Sequence, residues 1–362
     1  MNILIATGHP AQIHNFRLVK KLLEEHGHQV FWLSTNKDIS LYLLNYYHID
    51  YQLLKRPKRS FFSKIKTLYN NCITTRVLIK KRNIDFVISR INPAVVLAAF
   101  MSNVKQIGLA DTEASGIYDV VFSKLLGAVL TGNSFEKDFS KNKHIRFKGN
   151  IELFYLHPNR FVTRQESGHQ ILGIDAHTPY IILRFVAWEA YHDVGHHGFS
   201  EENKLKTAEV FSQYAKVFIS SEKPLAPELS KYQIKIPFEK MHTVLKDATM
   251  FFGEGASMAS ESAVLGTPAI YINDLLAGCT NEETKYGILF SFKQDVNSQK
   301  LSIEKGIELL QTEGLKDIWN IKLQSFLSDK IDVTAFLVWF VEKYPVSKKI
   351  MKQNPDYQNR FK

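Results

Sequence analysis

Short apolar runs alternate with amphipathic stretches along this chain, and no other feature narrows its fold as much. Residues 2–6 (NILIA) form an apolar run and GHPAQ a loop. From Ile13 to His26, Phe16, Val19, Leu22 and Leu23 then recur at helical spacing. Gly27 ends that helix and QVFWLS reads as the next strand. Strand, loop, helix and strand in this order specify a βαβ unit of a parallel sheet. The pattern continues with strands at 85–90, 105–110 and 127–132 and a helix from Pro93 to Asn103. A second series starts at Tyr180, with strands at 180–185, 216–221, 249–254 and 268–273. Helices are expected there at 201–214, 238–246 and 257–265. The reading is an α/β protein of two doubly wound halves. In such sheets ligands bind beyond the carboxyl ends of the strands, so a cleft between the halves is the expected site.

With 362 residues, the chain is long enough for two cores. Its net charge of +10 favours an anionic partner. Cys72 and Cys279 form no metal spacing and no disulfide framework. MNILIATGHP lacks the pattern of a signal peptide, and no stretch reaches the roughly 18 apolar residues of a spanning helix. A cytoplasmic protein, soluble or peripheral on the inner membrane face, is expected. The segment from Pro345 onward is basic and expected to be loosely attached.

GEGASMASESAVLGTPAIYIN (253–273) concentrates the residues of a ligand cradle. Gly253 and Gly255 allow a tight turn and close approach of the backbone. A helix starting near Ser257 turns its N–H groups and positive dipole end toward a phosphate or diphosphate. Glu261, one turn on, can accept two hydrogen bonds from a diol such as that of ribose. The plainer alternative is a capped strand–helix–strand with no ligand.

MHTVLKDATMFFGEGASMASESAVLGTPAIYIN resembles the donor-binding half of GT-B-type nucleotide-sugar proteins. The resemblance implies a diphosphate at Ser257 and Met258 and a ribose at Glu261. ILIATGHPAQIHNF, LADTEAS, ELFYLHPNRF, LRFVAWEAYHDVG, ISSEKPL and MASESAVLGTPAI, in this order, are similar to an uncharacterised bacterial and archaeal GT-B-like family, catalogued as a domain of unknown function. That family is related to GT-B glycosyltransferases and to the non-hydrolysing UDP-N-acetylglucosamine 2-epimerases. Of the epimerases' His-Val-Glu-Ala-Gly-Leu-Arg segment, only Glu113 and Ala114 have counterparts here. The implied fold is GT-B-like: two doubly wound Rossmann-like domains with an interdomain cleft. The expected layout is an acceptor-side domain at 1–160, a connector at 161–178, a nucleotide-sugar domain at 179–330, and a C-terminal helix and basic tail at 331–362.

Candidate chemistry follows from strand-end positions. Gly8 and His9 occupy the first strand–helix loop and His14 lies just after it. A histidine there can serve as general base for an acceptor hydroxyl, or simply cap the helix. Asp111 and Glu113 follow the strand at 105–110, as proton acceptors or as an N-cap. Arg184 ends the first strand of the second half and can clamp a diphosphate, or form a salt bridge. His192, Asp193, His196 and His197 offer metal ligands on paper. Gly195 and Gly198 instead suggest backbone contact, His192 and Asp193 are read as substrate-side groups, and no metal or cofactor is assigned. Glu282 is a candidate for sugar hydroxyls, with a solvated acidic turn as the alternative. Residues 55–82 carry ten basic residues and no acid, with Phe61 and Phe62 among them. That pattern suits an anionic membrane surface or an ordinary solvated helix. No binding module for nucleic acid accompanies it.

The expected function is a nucleotide-sugar-binding, glycosyltransferase-like protein of surface polysaccharide or glycolipid biosynthesis, using a UDP-sugar donor and a sugar or lipid-linked acceptor. The alternatives are a 2-epimerase-like enzyme and a non-catalytic sugar-nucleotide binder.

Overall fold

The structure, a computed structural model, describes residues 1–56, 60–111, 113, 117–162, 165–186, 198–221, 224–274 and 277–362. The chain divides into two compact units, residues 1–160 with 330–362, and residues 161–329.

The first unit holds seven parallel strands: β1 (Asn2–Thr7), β2 (Gln29–Thr35), β3 (Gln52–Leu54), β4 (Phe86–Ser89), β5 (Lys105–Leu109), β6 (Ala128–Gly132) and β7 (His144–Phe147). Their order across the sheet is β3-β2-β1-β4-β5-β6-β7. The helices are α1 (Pro10–Glu25), α2 (Ser40–Tyr46), α3 (Phe61–Lys81), α4 (Pro93–Met101), α5 (Ile117–Ser123) and α6 (Leu153–Leu156). β1, β4 and β6 are almost wholly buried, as expected for parallel strands covered on both faces. Leu4, Ala6, Leu33 and Val87 meet Leu78, Val95 and Ala98 in one core cluster.

The second unit contains α7 (Gly168–Leu172), β8 (Tyr180–Phe185), α8 (Glu201–Ser212), β9 (Lys216–Ser221), α9 (Pro227–Ser230), α10 (Met241–Asp247), β10 (Met250–Gly253), α11 (Ala256–Val264), β11 (Ala269–Ile272), α12 (Gly278–Lys285), β12 (Leu289–Phe292), α13 (Val296–Leu310) and α14 (Leu315–Ser328). Its strands are ordered β12-β11-β10-β8-β9, again all parallel. Ile181, Leu183, Phe211, Phe252 and Trp319 centre its core.

Two stretches differ from the sequence expectation. Within 161–178, α7 packs on α10 and the N–H of Gly168 donates to Asp247 Oδ2 at 2.6 Å. Much of that stretch is therefore folded structure of the second unit. The C-terminal segment is not loose either. α15 (Val333–Glu342), α16 (Val346–Gln353) and a closing 3-10 helix (Pro355–Phe361) return to the first unit. Tyr357 stacks on Trp339 at 5.1 Å, and the N–H of Lys148 donates to the buried Gln358 at 2.7 Å. Aromatic burial outweighs the segment's positive charge. β3, β7, β12 and the short helices around them were not anticipated, because these strands are only three or four residues long and contain polar residues: QLL, HIRF and LFSF.

Candidate functional site

In each sheet the strand order reverses at one place. Loops leave neighbouring strands in opposite directions there and open a crevice at the carboxyl edge. The reversal falls between β1 and β4 in the first sheet and between β8 and β10 in the second.

At the first reversal, β1 ends at Thr7 and hands on to Gly8 and His9. Gly8 is held on both sides: its N–H donates to Gln12 Oε1 at 2.6 Å and its carbonyl accepts from Thr35 Oγ1 at 3.2 Å. His9 is the N-cap of α1, its Nδ1 accepting the N–H of Ala11 at 3.3 Å. With the neutral ring accepting at Nδ1, the proton sits on Nε2, which is then a donor. Desolvation and the charges of Lys37 and Arg90 lower the His9 pKa to about 4, with Asp38 opposing. The side chain is nonetheless exposed. Its imidazole is neutral at pH 7.

Arg90 follows β4 and pairs with Asp111 beyond β5. Burial lowers its pKa to about 10, against the attraction of Glu152 and Asp119, so the guanidinium keeps its charge at neutral pH. Ile91 after it adopts φ of 40°, a conformation costing a β-branched residue about 1–3 kcal/mol, while its buried side chain packs in a cluster with Leu126. Ser89 Oγ is buried and has no hydrogen-bond partner among the described residues. Glu113 accepts the N–H of Glu136 at 3.3 Å. His14, by contrast, lies buried one turn inside α1, against Tyr47 and Tyr155. Its ring packs edge-on to Tyr47 at 5.9 Å and tilted to Tyr155 at 5.4 Å.

At the second reversal, Gly253 closes β10 beside Arg184 of β8. A Cβ on Gly253 would stand 2.5 Å from the Arg184 carbonyl oxygen, so only glycine fits. Gly255 is the N-cap of α11 and, as a glycine, offers that helix no capping side chain. The Arg184 side chain runs alongside: a Cβ on Gly255 would be 3.5 Å from Arg184 Cγ. Nη1 of Arg184 donates to Ser220 Oγ at 2.9 Å, which anchors the guanidinium. Ser257 in the first turn is exposed and Met258 half-buried. The stem of Arg184 thus passes the positive end of a helix dipole and its guanidinium ends at Ser220 on the same carboxyl edge, and both features favour an anion there.

Glu261 is buried on α11 and accepts a hydrogen bond from Nε2 of the equally buried His242 of α10, at 3.0 Å. Glu282 is half-buried on α12, and its neighbour Glu283 is fully buried, accepting from Ser260 Oγ. His192 and Asp193, with His196 and His197, lie outside the described residues. The broad hollow lined by Thr178, Ser212, Lys216, Lys231 and Tyr232 is at the opposite, amino-terminal edge of β8 and β9.

Sequence reasoning missed Arg90, His242 and Glu254. Glu254 is 1% exposed, and its carboxylate accepts the N–H of Val186 at 3.0 Å and of Phe199 at 2.7 Å. Its position between two glycines at a strand end was the available signal. His242 gave none, since its partner is nineteen residues away.

No protein-family model and no curated protein matches the sequence. Solved structures do. A UDP-GlcNAc 2-epimerase from Neisseria meningitidis bound to UDP-GlcNAc superposes with a TM-score of 0.62 at 14% identity, over 91% of this chain and 99% of that one. MurG from Acinetobacter baumannii gives 0.57 at 15% identity, over 95% and 100%. The fold is GT-B-like. A spinosyn rhamnosyltransferase complexed with thymidine diphosphate gives 0.59 at 12% identity, over 95% of this chain and 100% of that one. Identities this low establish the shared GT-B architecture of two Rossmann-like domains and leave the reaction to the site.

Proposed function

We propose that this GT-B-fold protein is an enzyme that binds a nucleoside diphosphate sugar at the carboxyl edge of its second sheet and transfers the sugar. The observation that carries the reading is the start of α11, with glycine at its N-cap, beside the stem of Arg184, whose guanidinium is held by Ser220 at the same edge. Diphosphate oxygens would accept from the first-turn N–H groups around Ser257 and Met258 and from the guanidinium. Glu261, oriented by His242, would accept the ribose diol, and Glu282 is assigned to sugar hydroxyls. A uridine nucleotide is supported by the similar epimerase bound to UDP-GlcNAc.

In the transfer, an acceptor oxygen attacks the anomeric carbon and gives up its proton as the bond to the diphosphate breaks. The diphosphate leaves with the electron pair, and the helix terminus and Arg184 stabilise its growing charge. We assign proton acceptance to Glu113, because Asp111 is engaged by Arg90. His9 contributes its Nε2–H as a donor. The orphaned Ser89 hydroxyl suits a ligand at the same edge. A surface polysaccharide or glycolipid is the product class in this reading.

A 2-epimerase is the second reading, favoured by the epimerases among the similar structures. Thermal shift of the purified protein against UDP-, GDP-, CMP- and dTDP-sugars tests the common core of both. Stabilisation by one nucleotide series is expected, and no shift with any of them would overturn it. Deuterium entering the sugar C2 from solvent would identify the epimerase, and acceptor-dependent release of the nucleotide the transferase.

A further inference from the structure

α3 carries an apolar row that the protein itself does not cover. Phe61, Ile65, Tyr69, Ile73 and Val77 follow one another at four-residue spacing, with Phe62 beside the first. They are 70%, 50%, 64%, 42% and 58% exposed, and Phe62 is 83% exposed. Toward its C-terminal half the helix buries Asn71, Thr75, Leu78 and Ile79. Leu78 and Ile79 sit in the core cluster of the first sheet, so the helix is firmly seated and its outward side is fixed. Neighbours in such an i,i+4 row touch, and the row turns by about 40° per step, so it forms a broad oblique band along a helix about 30 Å long. A strip of six large apolar side chains is more than scattered surface exposure and marks an interaction site.

Charge decides what covers it. α3 contains no Asp or Glu, and Lys64, Lys66, Lys80 and Lys81 are all exposed on it. Lys55 and Arg56 precede it and are exposed as well. A second copy of the chain would bring the same positive charge and be repelled. We infer that α3 lies flat on an anionic lipid bilayer, its aromatic and aliphatic side chains entering the headgroup boundary while the lysines engage lipid phosphates. Lysine suits this geometry because its aliphatic stem can lie in the apolar layer with the ammonium in water.

The orientation that follows is specific. The chain leaves the carboxyl end of β3 at Leu54 and enters α3 at Phe61, so the two phenylalanines lie toward the carboxyl edge of the first sheet. Docking therefore brings that edge close to the lipid surface. An acceptor carried on a lipid is the consequence, and it rests on the proposed function. The membrane binding itself does not.

Co-sedimentation with vesicles tests the binding. One set contains phosphatidylcholine alone and the other adds phosphatidylglycerol. The protein is expected to pellet with the anionic vesicles at low salt, to stay in the supernatant with the neutral ones, and to be released as salt rises. F61S/F62S should lower the partition coefficient about tenfold or more, because two exposed aromatic rings lose their apolar contact. K64E/K66E should lower it on anionic vesicles with the apolar row intact. All four side chains are exposed, so the variants should keep the wild-type melting temperature, and a nucleotide thermal shift would report separately on the second unit. Equal binding to both vesicle types, no binding to either, or wild-type binding by F61S/F62S would each overturn the proposal. A strip that serves an acidic protein would give the second of these results.

Discussion

His242 Nε2 lies 3.0 Å from Glu261 Oε1, and both side chains are buried. The bond ties α10 to the helix whose start faces the candidate diphosphate site. It fixes the direction of a carboxylate that the ribose reading requires. Glu261→Ala should weaken UDP binding about tenfold, a loss of roughly 1.4 kcal/mol, with the protein still folded by circular dichroism. His242→Ala should weaken it less and also cost about 1–3 kcal/mol of stability, because a buried acceptor loses its donor. Calorimetric titration with UDP checks both, and an unchanged affinity in Glu261→Ala would remove the ribose assignment.

Arg184 should discriminate by phosphate number. Its aliphatic stem runs beside Gly255 at the start of α11, and its guanidinium is anchored by Ser220. Arg184→Gln removes a charged hydrogen bond worth about 1.5–3 kcal/mol. The affinity for UDP should fall by about one to two orders of magnitude, and that for uridine much less. Titrations with the two ligands measure the difference, and equal losses would show a purely structural arginine.

Gly253→Ala should destabilise the second unit. The new methyl would stand 2.5 Å from the Arg184 carbonyl oxygen and 2.8 Å from its Cβ, both part of a packed parallel ladder. Relief requires strand separation at a cost of about 1–3 kcal/mol. Urea denaturation should show a lower midpoint for this unit.

Glu254 clasps the N–H groups of Val186 and Phe199 with one carboxylate. Glu254→Gln keeps the shape and replaces one acceptor oxygen with a donor. One of the two N–H groups then loses its partner, at about 1–3 kcal/mol. Hydrogen exchange should quicken at Val186 or Phe199 before it quickens in β10.

Acid should weaken the first unit through His144. Its ring is buried between Thr131 Oγ1 at 2.9 Å and the N–H of Phe139 at 3.4 Å. Burial, then the charge of Arg146, lowers its pKa from 6.5 to about 4, against Asp138. The unfolded chain takes up a proton below pH 6.5 that the folded chain refuses until about pH 4. The contribution is therefore complete above pH 6.5 and is lost as pH falls through this window. The loss amounts to about 3 kcal/mol at most. His9 acts in the same direction. Denaturation midpoints at pH 7 and 4.5 should differ less in His144→Gln than in the wild type.

Which parts were legible follows from the length of each signal. β8 and β9 fall where YIILRF and KVFISS indicate, because a six-residue apolar or alternating run admits one reading. β10, α11 and β11 were equally plain, since glycines punctuate them: Gly266, at φ of 88°, stops α11 as a left-handed residue must. α13 and α14 went unplaced for want of contrast with their surroundings. Within the candidate site, Arg184 and the α11 terminus were readable because both belong to short strand–loop–helix segments. Arg90 was hidden as the last residue of an expected strand, DFVISR, and the ion pair that gives it meaning joins two separate loops.

The sequence by itself determined the two α/β halves, most strand positions in them, and the placing of glycines where a helix start meets a strand end. Periodicity and turn chemistry act within a few residues and survive in one dimension. Only the tertiary structure decided the strand orders, and with them the two reversals that gather His9 with Arg90 and Arg184 with Gly255. It also decided that His14 is buried among aromatic rings, that His242 bonds Glu261, that the C-terminal segment belongs to the first unit, and that the apolar row of α3 is exposed. Each of these depends on which distant segments exclude water together, and that free energy is set by contacts between residues far apart in the chain.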